Sequence, residues 1–259
     1  MKKLLLSLVA LMAISMTANA QYVKLYKGET LVEQYSKDQV DKVEFSNTIS
    51  VVTTGTTDGH DWVQLWENGP KFATMNVGAT ITDYASVTAT SGQYTTANVG
   101  GLYAWGGSTA QVAGSFTDDH NTGSANLSGD NDTATKLWGS NWKMPSQTDL
   151  ENLNSTDNCV WTWCDGSTTQ YGTGCTLAGY KVSGKTGTDY ANNSIFLPAA
   201  GWFDNGSKTG DVAGSDGDYW SSTESGSDYA YGLDFSSGGQ DVYDFDRECG
   251  CSVRAVLSE

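Results

Sequence analysis

The stretch YAYGLDFSSGGQDVYDFD, residues 229–246, allows very few local structures. In its first half Tyr229, Tyr231, Leu233 and Phe235 share one face of an extended chain, and Ala230, Gly232 and Asp234 share the other. SSGGQ is a hairpin turn, and DVYDFD runs back. Upstream, CVWTWC, AGYKVSG and NSIFLPAAGW are strand-like runs with Gly or Pro stops, and GDYWSST follows. CSVRAVL closes the chain with Val253, Ala255 and Leu257 on one face. The chain has 30 Gly to punctuate such runs, with 9 Trp and 13 Tyr to fill a core and to be displayed. One helix start stands out: Ser146 is a good N-cap, Asp149 follows three residues on, and Leu150 and Leu153 form an apolar pair. One or two short helices among many short strands predict an α+β domain.

The composition shifts along the chain divide it into segments. Residues 1–20 read as a signal peptide: Lys2 and Lys3, the apolar run LLLSLVALMAI, then ANA before Gln21. That run is too short to span a bilayer with margin, and no later stretch is apolar enough to cross one. A secreted or cell-surface location is therefore expected. Residues 21–46 read as a small N-terminal β unit. Val23 and Leu25 alternate with Tyr22, Lys24 and Tyr26, KGET turns, and LVEQY returns antiparallel. Such a unit is marginal alone. Residues 47–57 are rich in Thr, Ser and Gly and read as a linker. Residues 58–259 form the main domain.

Charge and cysteine usage narrow the function classes. The net charge of −16 becomes −18 once Lys2 and Lys3 leave with the leader. Such a surface repels nucleic acid and anionic lipid, and neither is an expected partner. Five Cys is an odd number. Cys164 and Cys175 flank DGSTTQYGTG and can close that loop, and Cys159 can compete for either. Cys249 and Cys251 lie two apart, on one face of a strand, at about 6.5–7 Å between Cα atoms, so a local disulfide is not expected. The two His residues, His60 and His120, are too few for a His-rich iron site and make a hydrolytic triad improbable. Asp130, Asn131 and Asp132, or Asp118 and Asp119, can offer hard oxygen ligands to calcium, but no EF-hand spacing is present. No metal, no cofactor and no catalytic residue is expected.

The order of motifs carries more than any one of them. WVQLWENGPKFATMNVGA, GGLYAWGG, WKMPSQTDLENL, NSIFLPAAGW, YWSST and RECGCSVRAV follow one another from about residue 58 to 257. In this the chain resembles the major paralogous domain family of secreted bacterial proteins, which has the C-type lectin-like fold of the formylglycine-generating-enzyme type. The family's common Cys in ATCNVGA is Met75 here. The resemblance implies a C-type lectin-like domain. It also points to the variable proteins of diversity-generating retroelements, in which adenine-directed mutagenesis randomises codons near the C-terminus, commonly Asn codons. An AAC codon altered at its adenines reaches Asp, Tyr, Phe, Cys, Gly, Ser and Val, but not Glu, Gln, Lys, Trp or Met. Asp241 falls in that reachable set; Gln240 and Glu248 do not, and are template positions on this reading. The ligand-binding residues it implies are Asp228, Tyr229, Gly232, Asp234, Tyr243, Asp244, Phe245, Asp246, Cys249 and Cys251.

Such a mixture suits recognition, because Tyr and Phe give rigid contact area and Asp and Gly give adaptable polar contacts. The competing reading places Tyr243 and Phe245 in a half-buried strand of the core. Trp202 and Trp220 read as core, and Arg247 and Arg254 as braces that satisfy carboxylates or carbonyls. Cys249 and Cys251 invite comparison with the copper-binding pair of formylglycine-generating enzymes, but their spacing differs and the surrounding catalytic sequence is absent. The expected function is a secreted or surface protein that binds an unknown protein or glycan ligand through a variable C-terminal face. The alternative is a structural cell-surface or adhesion module without such a face, or less readily an oxidase of the formylglycine-generating type.

Overall fold

The computed structural model describes residues 52–88, 93–112, 117–166, 176–204 and 213–258 in full, and the backbone of five strands within residues 2–46. Cys175 lies outside the described residues, so the proposed closure of its loop does too. The chain divides into two units, Met1–Val52 and Thr53–Glu259. In the first, β1 (Lys2–Ser7), β2 (Met12–Ile14), β3 (Tyr22–Lys27), β4 (Thr30–Ser36) and β5 (Val40–Ser46) form an antiparallel sheet of order β2-β3-β4 and a parallel pair β1-β5. The expected hairpin is β3–β4, with Val23 opposite Tyr35.

The second unit contains β6 (Thr54–Thr57), β7 (His60–Gln64), β8 (Lys71–Ala73), α1 (Thr96–Val99), β9 (Leu102–Tyr103), α2 (Thr133–Trp138) and β10 (Trp142–Lys143). It continues with α3 (Gln147–Asn154), β11 (Cys159–Asp165), β12 (Ala178–Gly184), β13 (Ser194–Pro198), β14 (Asp216–Glu224), β15 (Tyr229–Ser236), β16 (Gly239–Asp246), β17 (Cys251–Ser252) and β18 (Val256–Leu257). Three sheets result, in the orders β10-β18-β8-β7-β6, β11-β12-β13 and β16-β15-β14-β17-β9.

The expectation of an α+β, C-type lectin-like domain is corrected by this arrangement: the fold is β-rich. Among the described residues the three α-helices hold 4, 6 and 8 residues, too few to make a layer. Gly100 (φ 89°) stops α1 and Gly139 (φ 95°) stops α2, each in backbone space that suits glycine. The start of α3 matches its sequence signature. The Asp149 N–H donates to Ser146 Oγ at 3.1 Å, and the Ser146 N–H donates to Asp149 Oδ2 at 2.8 Å. One clear helix start was thus a true local signal and a poor guide to the layers. The linker expectation is also corrected at its end. Thr54–Thr57 form an edge strand paired with His60–Gln64, since their alternating exposure suits a half-buried strand.

Strand β14 separates two cores. Tyr219 packs with Leu233, Phe235, Tyr180 and Leu150 on one side. Trp220 packs with Trp105, Trp142, Met144 and Val253 on the other. Both faces of its sheet are therefore covered near the centre. The indoles of Trp105 and Trp220 donate to Ser221 O and Tyr103 O, each at 2.8 Å, so these buried rings leave no N–H unpaired. Trp202 is partly buried against the second core.

Arg254 lies 2% exposed where β8 and the residues after it, β13 and the C-terminal segment meet. Its guanidinium donates to Asn76 Oδ1 at 2.8 Å, to the carbonyls of Ala73, Thr74 and Phe196 at 3.0, 2.8 and 2.8 Å, and to the Tyr84 hydroxyl at 3.3 Å. Asn76 in turn donates to Val99 O and to the Tyr219 hydroxyl. This is the bracing role that the sequence suggested for the arginine. Among the described residues, no helix is long and apolar enough to cross a membrane.

Candidate functional site

The hairpin β15–β16 forms one margin of its sheet, with β16 as the edge strand. Register sets Gly232 opposite Tyr243, Ala230 opposite Phe245, Asp234 opposite Asp241 and Tyr229 opposite Asp246. Asp241, Tyr243, Asp244 and Asp246 are exposed, as are Asp228 and Tyr229. Tyr243 and Tyr229 keep 44% and 45% of their surface in solvent, which is a large apolar area for a soluble edge strand to leave open. Val242 instead packs against the first core. The frame does not depend on most of these side chains, because β15 and β14 supply the buried residues of the sheet.

Not every residue expected on this face lies on it. Cys249 (7% exposed) and Cys251 (1%) belong to the second core, and their expected display is corrected. Cys251 sits in β17 between β14 and β9, in the middle of the sheet. Burial pushes the Cys249 thiol up to about 12, with Asp246 and Asp204 adding to it, and burial also pushes the Cys251 thiol well above its ordinary value. Both are thus neutral thiols at physiological pH, poor nucleophiles and poor ligands. Gly232 is buried as well, and a Cβ there would collide with the Phe245 ring. Phe245 covers that glycine and meets Trp220 and Tyr243 edge-on, with ring centroids 5.5 and 4.7 Å apart. The sequence left Tyr243 and Phe245 open between core and surface. The structure divides them, with Tyr243 outward and Phe245 half-buried.

This division makes a prediction. Phe245→Ala should cost about 2–3 kcal/mol of stability, below the usual range for a fully buried Phe. Tyr243→Ala should stay within about 1 kcal/mol. Equilibrium urea denaturation of the two variants measures both, and equal losses would contradict the placement.

Arg247 fixes the end of the hairpin. It is 1% exposed, lies over the Trp105 ring at 4.2 Å, and donates to the carbonyls of Asn121, Gly123, Gly226 and Tyr229. Its second terminal nitrogen also reaches Glu224 Oε2 at 3.4 Å. Through these bonds the acidic loop before α2 is tied to the hairpin. Asp118 of that loop pairs with His120, and the ligand atoms of Asp118, His120 and Glu248 lie within 4.8 Å of one another. These three groups can hold a divalent cation. A cleft of about 260 Å³ beside them is lined by His120, Asp204, Asp228, Asp246, Glu248 and Cys249. Two of the other acids considered for calcium are engaged through a carboxylate oxygen or more. Asp119 Oδ2 accepts from the N–H groups of Ser108 and Thr109, and Asp132 caps α2 while also accepting from Met144 N–H.

A row of carboxyls crosses the sheet. Asp218 of β14 faces Asp234 of β15, which faces Asp241 of β16. Asp218 is 4% exposed, and its Oδ2 has no hydrogen-bond donor directed at it. Burial and the neighbouring Asp234 raise its carboxyl to about 8, so the pair shares a proton at neutral pH. Asp234 is raised too, by burial first. The Tyr243 hydroxyl is pushed up to about 12 by burial and then by Asp234 and Asp218, which places it in the field of the same acids. Sequence reasoning missed Asp218. The signal was the spacing of Asp216, Asp218 and Trp220 in one strand, but nothing local says that Asp234 would stand opposite. The same holds for His120 and Glu248, which approach only in the folded chain.

A family model described as a domain of unknown function (DUF8237) matches residues 185–256, a stretch that contains the whole hairpin. No curated protein and no solved structure matches the chain.

Proposed function

We propose that this chain is an exported recognition protein whose β15–β16 hairpin presents a variable binding face to a macromolecular ligand. The observation that carries this is the unequal burial of β16. An edge strand of eight residues exposes Asp241, Tyr243, Asp244 and Asp246, while Arg247 and the strands behind it hold the backbone in place. Side chains so placed can change without unfolding the frame, which is the physical requirement of a diversified surface. Two exposed tyrosines among aspartates supply the mixture of rigid and adaptable contacts that recognition uses. The leader-like segment supports export. The ordered motifs that resemble the major paralogous domain family, and the codon-reachable residues at these positions, support retroelement diversification. Buried, neutral thiols at Cys249 and Cys251 speak for recognition and against thiol-based turnover.

Two measurements test the reading. The first is genomic: a near-copy of the codons for the last part of the chain should lie beside a reverse transcriptase gene and differ at adenines. The second is a quadruple substitution, Asp241, Tyr243, Asp244 and Asp246 to Ala, with Phe245 kept. It should retain the fold by circular dichroism and lose capture of the ligand by at least a hundredfold. A variant that unfolds, or one that binds as before, counts against the face.

A further inference from the structure

The proposed face includes a feature that contact area alone does not explain. Asp218 is buried beside Asp234, with no N–H or O–H donor among the described residues aimed at its Oδ2. Buried carboxylates are normally paired with cations or with several donors. Here the neighbours on every packed strand are acids or neutral groups: Asp216 on β14, Asp234 on β15, Asp241 and Tyr243 on β16, and the thiols of Cys249 and Cys251. The exposed end of the row, at Asp241 and Tyr243, opens to solvent. An aromatic ring beside a row of carboxyls that ends in solvent matches a flat organic cation, which stacks on the ring and takes carboxylate oxygens with its N–H groups.

We propose that Asp218, Asp234, Asp241 and the Tyr243 ring form a subsite for a guanidinium group, the side chain of an arginine on the protein ligand. This rests on the reading of the hairpin as a binding face and names the chemistry that the face selects. Asp218 lies outside residues 228–251, so it belongs to the fixed frame, whereas Asp234, Asp241 and Tyr243 lie among the codon-reachable positions. The fixed frame then supplies a buried acid, and the hairpin decides whether that acid is turned to use. In the free protein a proton shared by Asp218 and Asp234 offsets one of their two charges. An entering guanidinium displaces it, so binding tightens as pH rises.

The probe is the blocked peptide acetyl-Gly-Arg-Gly-amide, with its neutral citrulline counterpart as control, titrated into the full protein and followed by two-dimensional NMR. The arginine peptide should bind at least tenfold more tightly than the citrulline one, with shifts confined to β14, β15 and β16. Raising the pH from 6 to 9 should tighten it about tenfold or more. Asp218→Asn should weaken binding at pH 9 about tenfold and flatten the pH response, and Tyr243→Ala, an exposed substitution, should weaken it about tenfold while leaving the fold intact. Equal binding of both peptides, unchanged binding in Asp218→Asn, or complete displacement by 1 mM calcium would overturn the proposal. The outcome is separable from that of the face itself: if the genomic copy is found and the quadruple variant loses its ligand while the peptide fails, only the guanidinium subsite falls.

Discussion

Arg254→Met should lower the stability of the second unit by about 4 kcal/mol or more, a large part of what a domain of this size has. Met keeps much of the volume and removes the donors. Five acceptors then lose the guanidinium: Asn76 Oδ1, the carbonyls of Ala73, Thr74 and Phe196, and the Tyr84 hydroxyl, which keeps the Asn76 N–H. Each buried acceptor left alone costs about 1–3 kcal/mol before relaxation. These groups come from residues 73–84 and from β13, so the loss loosens the joint between two sheets rather than one turn. The melting temperature should fall by about 10 °C or more. A drop under 3 °C would mean that water or a shifted backbone replaces the guanidinium, and that the joint is held by packing alone. Arg247→Met should cost less overall, because the loops that it ties are more exposed, but it should free the β15–β16 hairpin and so weaken ligand capture as well.

Asp218→Asn should make the protein more stable at pH 8, by about 1–3 kcal/mol, and should remove most of the fall in stability between pH 5 and pH 8. The direction follows from the proton. In the unfolded chain the Asp218 carboxyl titrates near the usual 3.8, and in the folded protein near 8, raised by burial and by Asp234. Between those values the folded state binds the extra proton. The stabilisation from that proton is fully present below pH 4 and is lost as pH rises through about 8. Above that, a carboxylate stays buried without a donor. Asparagine keeps the shape, carries no charge, and can donate to Asp234. Urea denaturation of both proteins at pH 5, 6.5 and 8 measures the difference. Parallel pH profiles would show that Asp218 is solvated in the folded protein and that the acid row is not a strained element.

The two predictions draw on different readability. Arg254 was recognisable as a brace from RECGCSVRAV, because a lone arginine between apolar strand residues must find acceptors. Asp218 was not, because its meaning depends on Asp234 and Asp241 standing opposite, 16 and 23 residues further on. The hairpin itself was legible, since YAYGLDF and DVYDFD alternate with a period of two around a Gly pair. Which of its faces would be open was not legible. Both sides of β14 and β15 are covered, whereas β16 lies at one margin of the sheet. That is why Phe245 and Tyr243, two apart on one strand, divide between core and solvent. Cys251, in β17 between β14 and β9, and the nearby Cys249 are buried although the pattern of the tail suggested display.

What the amino-acid order determined by itself is therefore local: strand periodicity, the Ser146 cap, the glycine stops, the acidic surface and the bracing arginines. The strand periodicity, the cap and the glycine stops rest on interactions within about a dozen residues, whereas the arginines were legible only as residues that must find acceptors, found far along the chain. Tertiary structure alone decided the order of the strands in each sheet, that the acids of three strands would line up, and that His120 would reach Glu248. Those outcomes depend on strand order and register, which are set by the whole core at once, because each pairing is stable only when its neighbours are already in place.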